Sequence, residues 1–156
     1  MQGNRREVLK AGGGAALYAA LSAMGFFSSS PAFASGWTKE WFETKSIAES
    51  FKVMGAGAPA VSADVVITSP DIAENGAVVP VGVASKLAKT EFLAVMVEKN
   101  PNMLAGVFQL TPDAEADVSM RVKMGQSSDV YALVKANGKF YMAKKEIKVT
   151  LGGCGG

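Results

Sequence analysis

Between Ala63 and Leu151, apolar and polar residues alternate or gather in short apolar runs with a period of two, not the helical period of about 3.6. The runs cover 63–68, 78–84, 92–98, 104–110, 116–124, 130–135 and 139–151, which predicts about seven strands. Turn-forming groups such as Asn75-Gly76 and Asn100-Pro101-Asn102 separate them. Asn137-Gly138, between two apolar runs, is a strong hairpin signal, because both residues tolerate the positive φ of a type I′ turn. Val79, Val81 and Val83 share one face of their strand, while Pro80 removes a backbone donor and predicts a sheet edge or a bulge there. Short strands at regular spacing with no helix between them give the fold class: mainly β, an immunoglobulin-like antiparallel β-sandwich.

Upstream, the period changes. Trp37, Trp41, Ala48 and Phe51, with Phe42 flanking, recur at helical spacing among Lys39, Glu40, Glu43, Lys45 and Glu49, predicting one amphipathic helix from about Thr38 to Val53. Gly55 ends it, and its aromatics are expected to pack on the domain or on a partner subunit. Residues 55–59, Gly-Ala-Gly-Ala-Pro, read as a linker. Further upstream, the basic start around Arg5, Arg6 and Lys10 leads into an Ala/Gly-rich apolar stretch and the small-residue site Ala32-Phe33-Ala34. This is the form of a secretory signal, and the paired arginines before Leu9 and Lys10 suit the twin-arginine route. The expected organisation is therefore a cleaved signal at 1–34, a helical segment and linker at 35–57, the sandwich at 58–151 and a C-terminal arm at 152–156.

Cleavage would change the charge. The whole chain has 16 Lys+Arg and 14 Asp+Glu; without the first 34 residues these become 13 and 13, leaving no basic excess to argue for nucleic acid. The chain has no histidine and one cysteine, which excludes Cys/His nucleophile pairs, Ser-His-Asp triads and His/Cys metal clusters. Asp113, Glu115 and Asp117, spaced by two, lack the glycine and distal glutamate of a calcium loop and read as one exposed face of a strand. No metal or other cofactor is expected.

The one soft nucleophile is Cys154, set between Gly152, Gly153, Gly155 and Gly156. Four glycines cannot bury a thiol, so this one is placed to be reached. The last strand alternates Ile147, Val149 and Leu151 with Glu146, Lys148 and Thr150, so Leu151 is the expected anchor of a flexible arm. Three residue steps from Leu151 to Cys154, at about 3.3 to 3.6 Å each, give a reach of roughly 10 Å. Glycine minimises the cross-section of that probe. No cation lies within five residues of Cys154, so activation of the thiol is left to whatever binds the arm.

The terminal run 149–156, Val-Thr-Leu-Gly-Gly-Cys-Gly-Gly, the segment 72–81, Ile-Ala-Glu-Asn-Gly-Ala-Val-Val-Pro-Val, and the turn Glu98-Lys99-Asn100-Pro101 together resemble the SoxY family of thiosulfate-oxidising carrier proteins. The likeness spans nearly the whole of the chain beyond the signal. It implies that Cys154 is the covalent attachment point for thiosulfate-derived sulfur, carried between periplasmic enzymes. It implies an immunoglobulin-like sandwich paired with a second small subunit of the SoxZ type. The implied partners are a heme-containing loading enzyme, a sulfate-releasing hydrolase and a sulfane dehydrogenase, none of which needs catalytic residues in this chain. A sulfur-sulfur bond suits such a role, since it holds the intermediate yet stays open to exchange. On this reading the protein is a carrier, not an enzyme.

Two readings from other classes stand beside it. An immunoglobulin-like binding or adhesion module could join two copies through Cys154, as an oxidising compartment permits. A thiol redox sensor would want a lowered pKa and a resolving cysteine, and the sequence offers neither.

Overall fold

The computed structural model describes residues 38–150, so the expectations placed on the N-terminal signal, Arg5, Arg6 and Trp37, and on Leu151 with the Gly152–Gly156 arm, lie outside the described residues. Two short helices, α1 (Lys39–Phe42) and α2 (Ile47–Val53), precede nine strands. The strands are β1 (Ala60–Val61), β2 (Val65–Thr68), β3 (Ile72–Ala73), β4 (Val79–Ser85), β5 (Thr90–Val97), β6 (Leu104–Gln109), β7 (Asp117–Val122), β8 (Ser128–Ala136) and β9 (Lys139–Val149). The seven expected strands are all present, and two short ones join them.

The strands form two sheets of a sandwich. One runs β1-β9-β8-β5-β6, with β3 also paired to β9; the other runs β2-β4-β7. The long pairings are antiparallel, whereas β1 and β3 lie parallel to the two ends of β9. Alternation explains the packing: Val79, Val81 and Val83 of β4 point inward, and Val130, Ala132, Val134 and Ala136 of β8 meet them together with Leu93, Val95 and Val97 of β5. The Asn137-Gly138 turn joins β8 to β9, with φ values of 50° and 72°, as the type I′ expectation requires.

Two expectations need correction. β4 is the central strand of its sheet, not an edge; Pro80 is tolerated because pairing with β2 reaches only Gly82, leaving Pro80 opposite β7 alone. Asp113 and Glu115 lie in the connection before β7, not on a strand face, and only Asp117 belongs to the strand.

The outer face of the larger sheet carries a second core. Every residue of β5 from Phe92 to Val97 is buried, because Phe92, Ala94 and Met96 face away from the sandwich interior and are covered by the helical segment. Phe51 and Met54 pack there with Leu104 and Leu133. Trp41 meets Phe92 edge-on at 6.0 Å, and Phe51 meets Tyr131 at 6.3 Å. Trp41, Phe42 and Phe51 of the helical segment thus pack on the domain.

The single expected helix is two. Ser46 is in extended conformation at φ −148°, and its hydroxyl accepts from the Glu49 N–H. The Glu49 carboxylate reaches back to the Lys45 N–H at 2.8 Å, a variant of the capping box that starts a new helix. The broken segment is held inside by the Thr44–Ser50 hydroxyl pair at 2.6 Å, both residues buried. At the other end of α2 the Ala56 N–H bonds to the Phe51 carbonyl and the Gly55 N–H to that of Lys52, with Gly55 at φ 77°: a Schellman stop, where the sequence placed it.

Candidate attachment site

Cys154, expected from the sequence to be the attachment residue, its flanking Gly152, Gly153, Gly155 and Gly156, and the expected anchor Leu151 lie outside the described residues. What the structure describes is the root from which they continue. Ile147, fully buried opposite Ser128, fixes the end of β9 into the core. Beyond it the strand is held on both sides. On one side the Lys148 N–H donates to the Asp71 carbonyl at 2.9 Å and the Thr150 N–H to the Ala73 carbonyl at 3.1 Å, which is the parallel pairing with β3. On the other, the Val149 N–H donates to the Ser127 hydroxyl at 2.9 Å. The Thr150 hydroxyl adds a longer bond to the Glu74 carbonyl at 3.4 Å.

Gly76 lets these parts close. A Cβ there would collide with the Met124 carbonyl oxygen and come within 2.8 Å of Val149 Cγ1, so only glycine allows the β3–β4 turn to lie against both the β7–β8 connection and β9. The Met124 N–H donates to the Gly76 carbonyl at 2.7 Å across this contact. Asn75 shapes the turn by accepting the Ala77 N–H on its side-chain oxygen. From Thr150, the last described residue, four residue steps reach Cys154, a span of roughly 13 to 14 Å at most.

Three stretches far apart in sequence meet at this end of the sandwich. The segment Ile72–Val81 supplies β3, its turn and the start of β4; the turn 98–101 sits beside β8 through the bond from the Lys99 N–H to the Ser128 hydroxyl at 3.0 Å; and β9 ends between them. Sequence reasoning missed Asp71, Ala73, Gly76 and Ser127 as supports of the root. The Asn75-Gly76 turn was the one local signal, and the others act only through tertiary contact.

Electrostatic perturbation lies elsewhere. Tyr131 is pushed above its usual value of 10.0, first by burial and then by Glu98, and Lys144 is raised chiefly by its hydrogen bond to Asp129 at 3.0 Å. Among the described residues, no group of three or more His, Cys, Asp or Glu could hold a metal ion, and no helix is long and apolar enough to cross a membrane.

Comparison with known proteins follows this geometry. The family model of the sulfur oxidation protein SoxY matches residues 51–154. Among solved structures, the sulfur carrier protein SoxY from Chlorobium limicola f. thiosulfatophilum is 31% identical, with a TM-score of 0.57, covering 64% of this chain and 93% of that one. The superoxide reductase (neelaredoxin) from Ignicoccus hospitalis is 22% identical over 55% of this chain and 80% of its own, with a TM-score of 0.50, and shares the fold alone. A comparison with the curated proteins finds no match.

Proposed function

This chain belongs to the SoxY family of sulfur-oxidation proteins, and from that premise we propose that it is a periplasmic carrier holding thiosulfate-derived sulfur on Cys154. The observation that carries the proposal is the extent of the family match, which runs through residue 154 and so includes the only cysteine of the chain. The held root supports it: the end of the chain's last strand is bonded through Lys148 and Thr150 on one side and Val149 on the other, with Thr150 four residues before the thiol. A fixed root with a short, side-chain-poor extension suits a group that must enter the active sites of several enzymes.

The chemistry is oxidative conjugation. The Cys154 thiolate joins the outer sulfur of thiosulfate, a sulfur-sulfur bond forms, and two electrons leave to the heme-containing loading enzyme. A hydrolase then releases sulfate by attack of water, and a sulfane dehydrogenase oxidises the sulfur left on the cysteine. In this scheme the chain supplies the attachment point and its partners supply the catalysis. A SoxZ-like subunit pairs with it, and the twin-arginine signal with Arg5 and Arg6 carries the folded pair across the membrane together. The test is a Cys154→Ser variant in a reconstituted thiosulfate-oxidising system. Loss of thiosulfate-dependent electron transfer is expected; an undiminished rate would overturn the proposal.

A further inference from the structure

Beside the root of β9, the β5–β6 and β7–β8 connections border an open cleft of about 440 Å³ lined by Lys99, Asn100, Pro101, Lys123, Gly125 and Gln126. Its walls are laced together: the Asn100 side-chain N–H donates to the Lys123 carbonyl at 2.7 Å, and the Lys99 N–H donates to the Ser128 hydroxyl. Among the described residues, no carboxylate lines it. The four ion pairs of the described residues use Lys39, Lys135, Lys144 and Lys145, so the Lys99 and Lys123 ammonium groups have no carboxylate partner among them. The Lys45 ammonium lies 3.5 Å from the carbonyl of Pro101, one of the lining residues.

Two lysines without a carboxylate partner line one concavity together with Asn100 and Gln126, which favours a compact anion of charge two over a chloride ion. At roughly 30 Å³ per water, the space admits a tetrahedral oxyanion with solvent to spare. Ser127, which holds Val149, directly follows Gln126, so the cleft adjoins the strand that leads to Cys154. We infer that this cleft is a non-covalent site for sulfur oxyanions of the sulfate and thiosulfate type, separate from the cysteine. The inference rests on the carrier reading only for the choice of sulfur as the central atom.

The test uses full-length protein carrying Cys154→Ala, so that failure of covalent attachment does not affect it. Sodium thiosulfate is titrated at low ionic strength while backbone proton–nitrogen correlation spectra are recorded, with sodium chloride at matched ionic strength as the control. Saturable shifts at Lys99, Lys123, Gly125 and Gln126 are expected with thiosulfate and not with chloride. The Lys99→Gln, Lys123→Gln double variant should weaken binding at least tenfold, and raising the salt so that the Debye length falls below about 8 Å should weaken it further. A second arm records wild-type protein conjugated at Cys154, without added anion. Shifts of the same amides there assign occupancy to the tethered anion; shifts only with free thiosulfate assign it to the solute. Shifts that match chloride, or that survive in the double variant, would overturn the inference.

Discussion

Replacing Gly76 by alanine is expected to loosen the root of β9 while leaving the rest of the sandwich intact. Gly76 is not among the positive-φ glycines, so the substitution carries no backbone penalty of that kind. Its effect comes from contact. The new methyl would strike the Met124 carbonyl oxygen and lie 2.8 Å from Val149 Cγ1 and 3.5 Å from the Met124 carbonyl carbon. The first of these is backbone that is itself hydrogen-bonded to Gly76, so relief requires the β3–β4 turn and the β7–β8 connection to part. Overpacking of this kind costs about 1–3 kcal/mol. The lower entropy of alanine in the unfolded chain offsets about 0.4–1 kcal/mol of that. A net loss of up to about 2.6 kcal/mol is therefore expected by urea denaturation. Hydrogen exchange supplies the local readout, with faster exchange at Val149 and Thr150, whose acceptors are the Ser127 hydroxyl and the Ala73 carbonyl. Gly82→Ala is the control, since a Cβ there meets nothing closer than 3.5 Å. Unchanged stability and unchanged exchange in Gly76→Ala would refute the reasoning.

Two further outcomes test other parts of the structure. Phe51→Ala removes a buried ring that packs on Tyr131 across the helix-covered face, and should lower stability by about 3–5 kcal/mol; a loss below about 1 kcal/mol would show that the helical segment contributes little to the fold. Tyr131 has a folded-state pKa above 10.0, raised mainly by burial, so the folded state favours its neutral form and the associated stability is complete below about pH 10 and lost as pH rises through the folded pKa. Tyr131→Phe should therefore flatten the alkaline limb of stability measured by denaturation across pH 9 to 12 (roughly the tyrosine range), and an equally steep limb in the variant would contradict this.

Much of the sandwich was legible because its core faces are local patterns. Val79, Val81 and Val83 announce a half-buried strand, and Asn137-Gly138 specifies the β8–β9 hairpin, with no knowledge of the partners. β1 and β3 were not legible, because two-residue strands such as Ile72–Ala73 owe their form to β9 and carry no period of their own. The break between the helices was written in Ser46 and Glu49, but the aromatic spacing that runs through it gives a stronger signal for one continuous helix. Pro80 misled for a related reason: proline excludes a donor at one position, and whether that makes an edge depends on where β2 stops. At the site, Cys154 stood out by identity and position alone. Its supports did not, since Ser127 and Asp71 are ordinary surface residues until the chain folds them against Val149 and Lys148.

The most direct measurement of the central claim is the mass of the C-terminal peptide after the protein has been incubated with thiosulfate and a heme-containing loading enzyme, then digested without reductant. The carrier account predicts that the peptide bearing Cys154 gains one thiosulfate group through a sulfur-sulfur bond, and that reductant removes it. An unmodified peptide, or one found only as a disulfide between two copies of this chain, would contradict it.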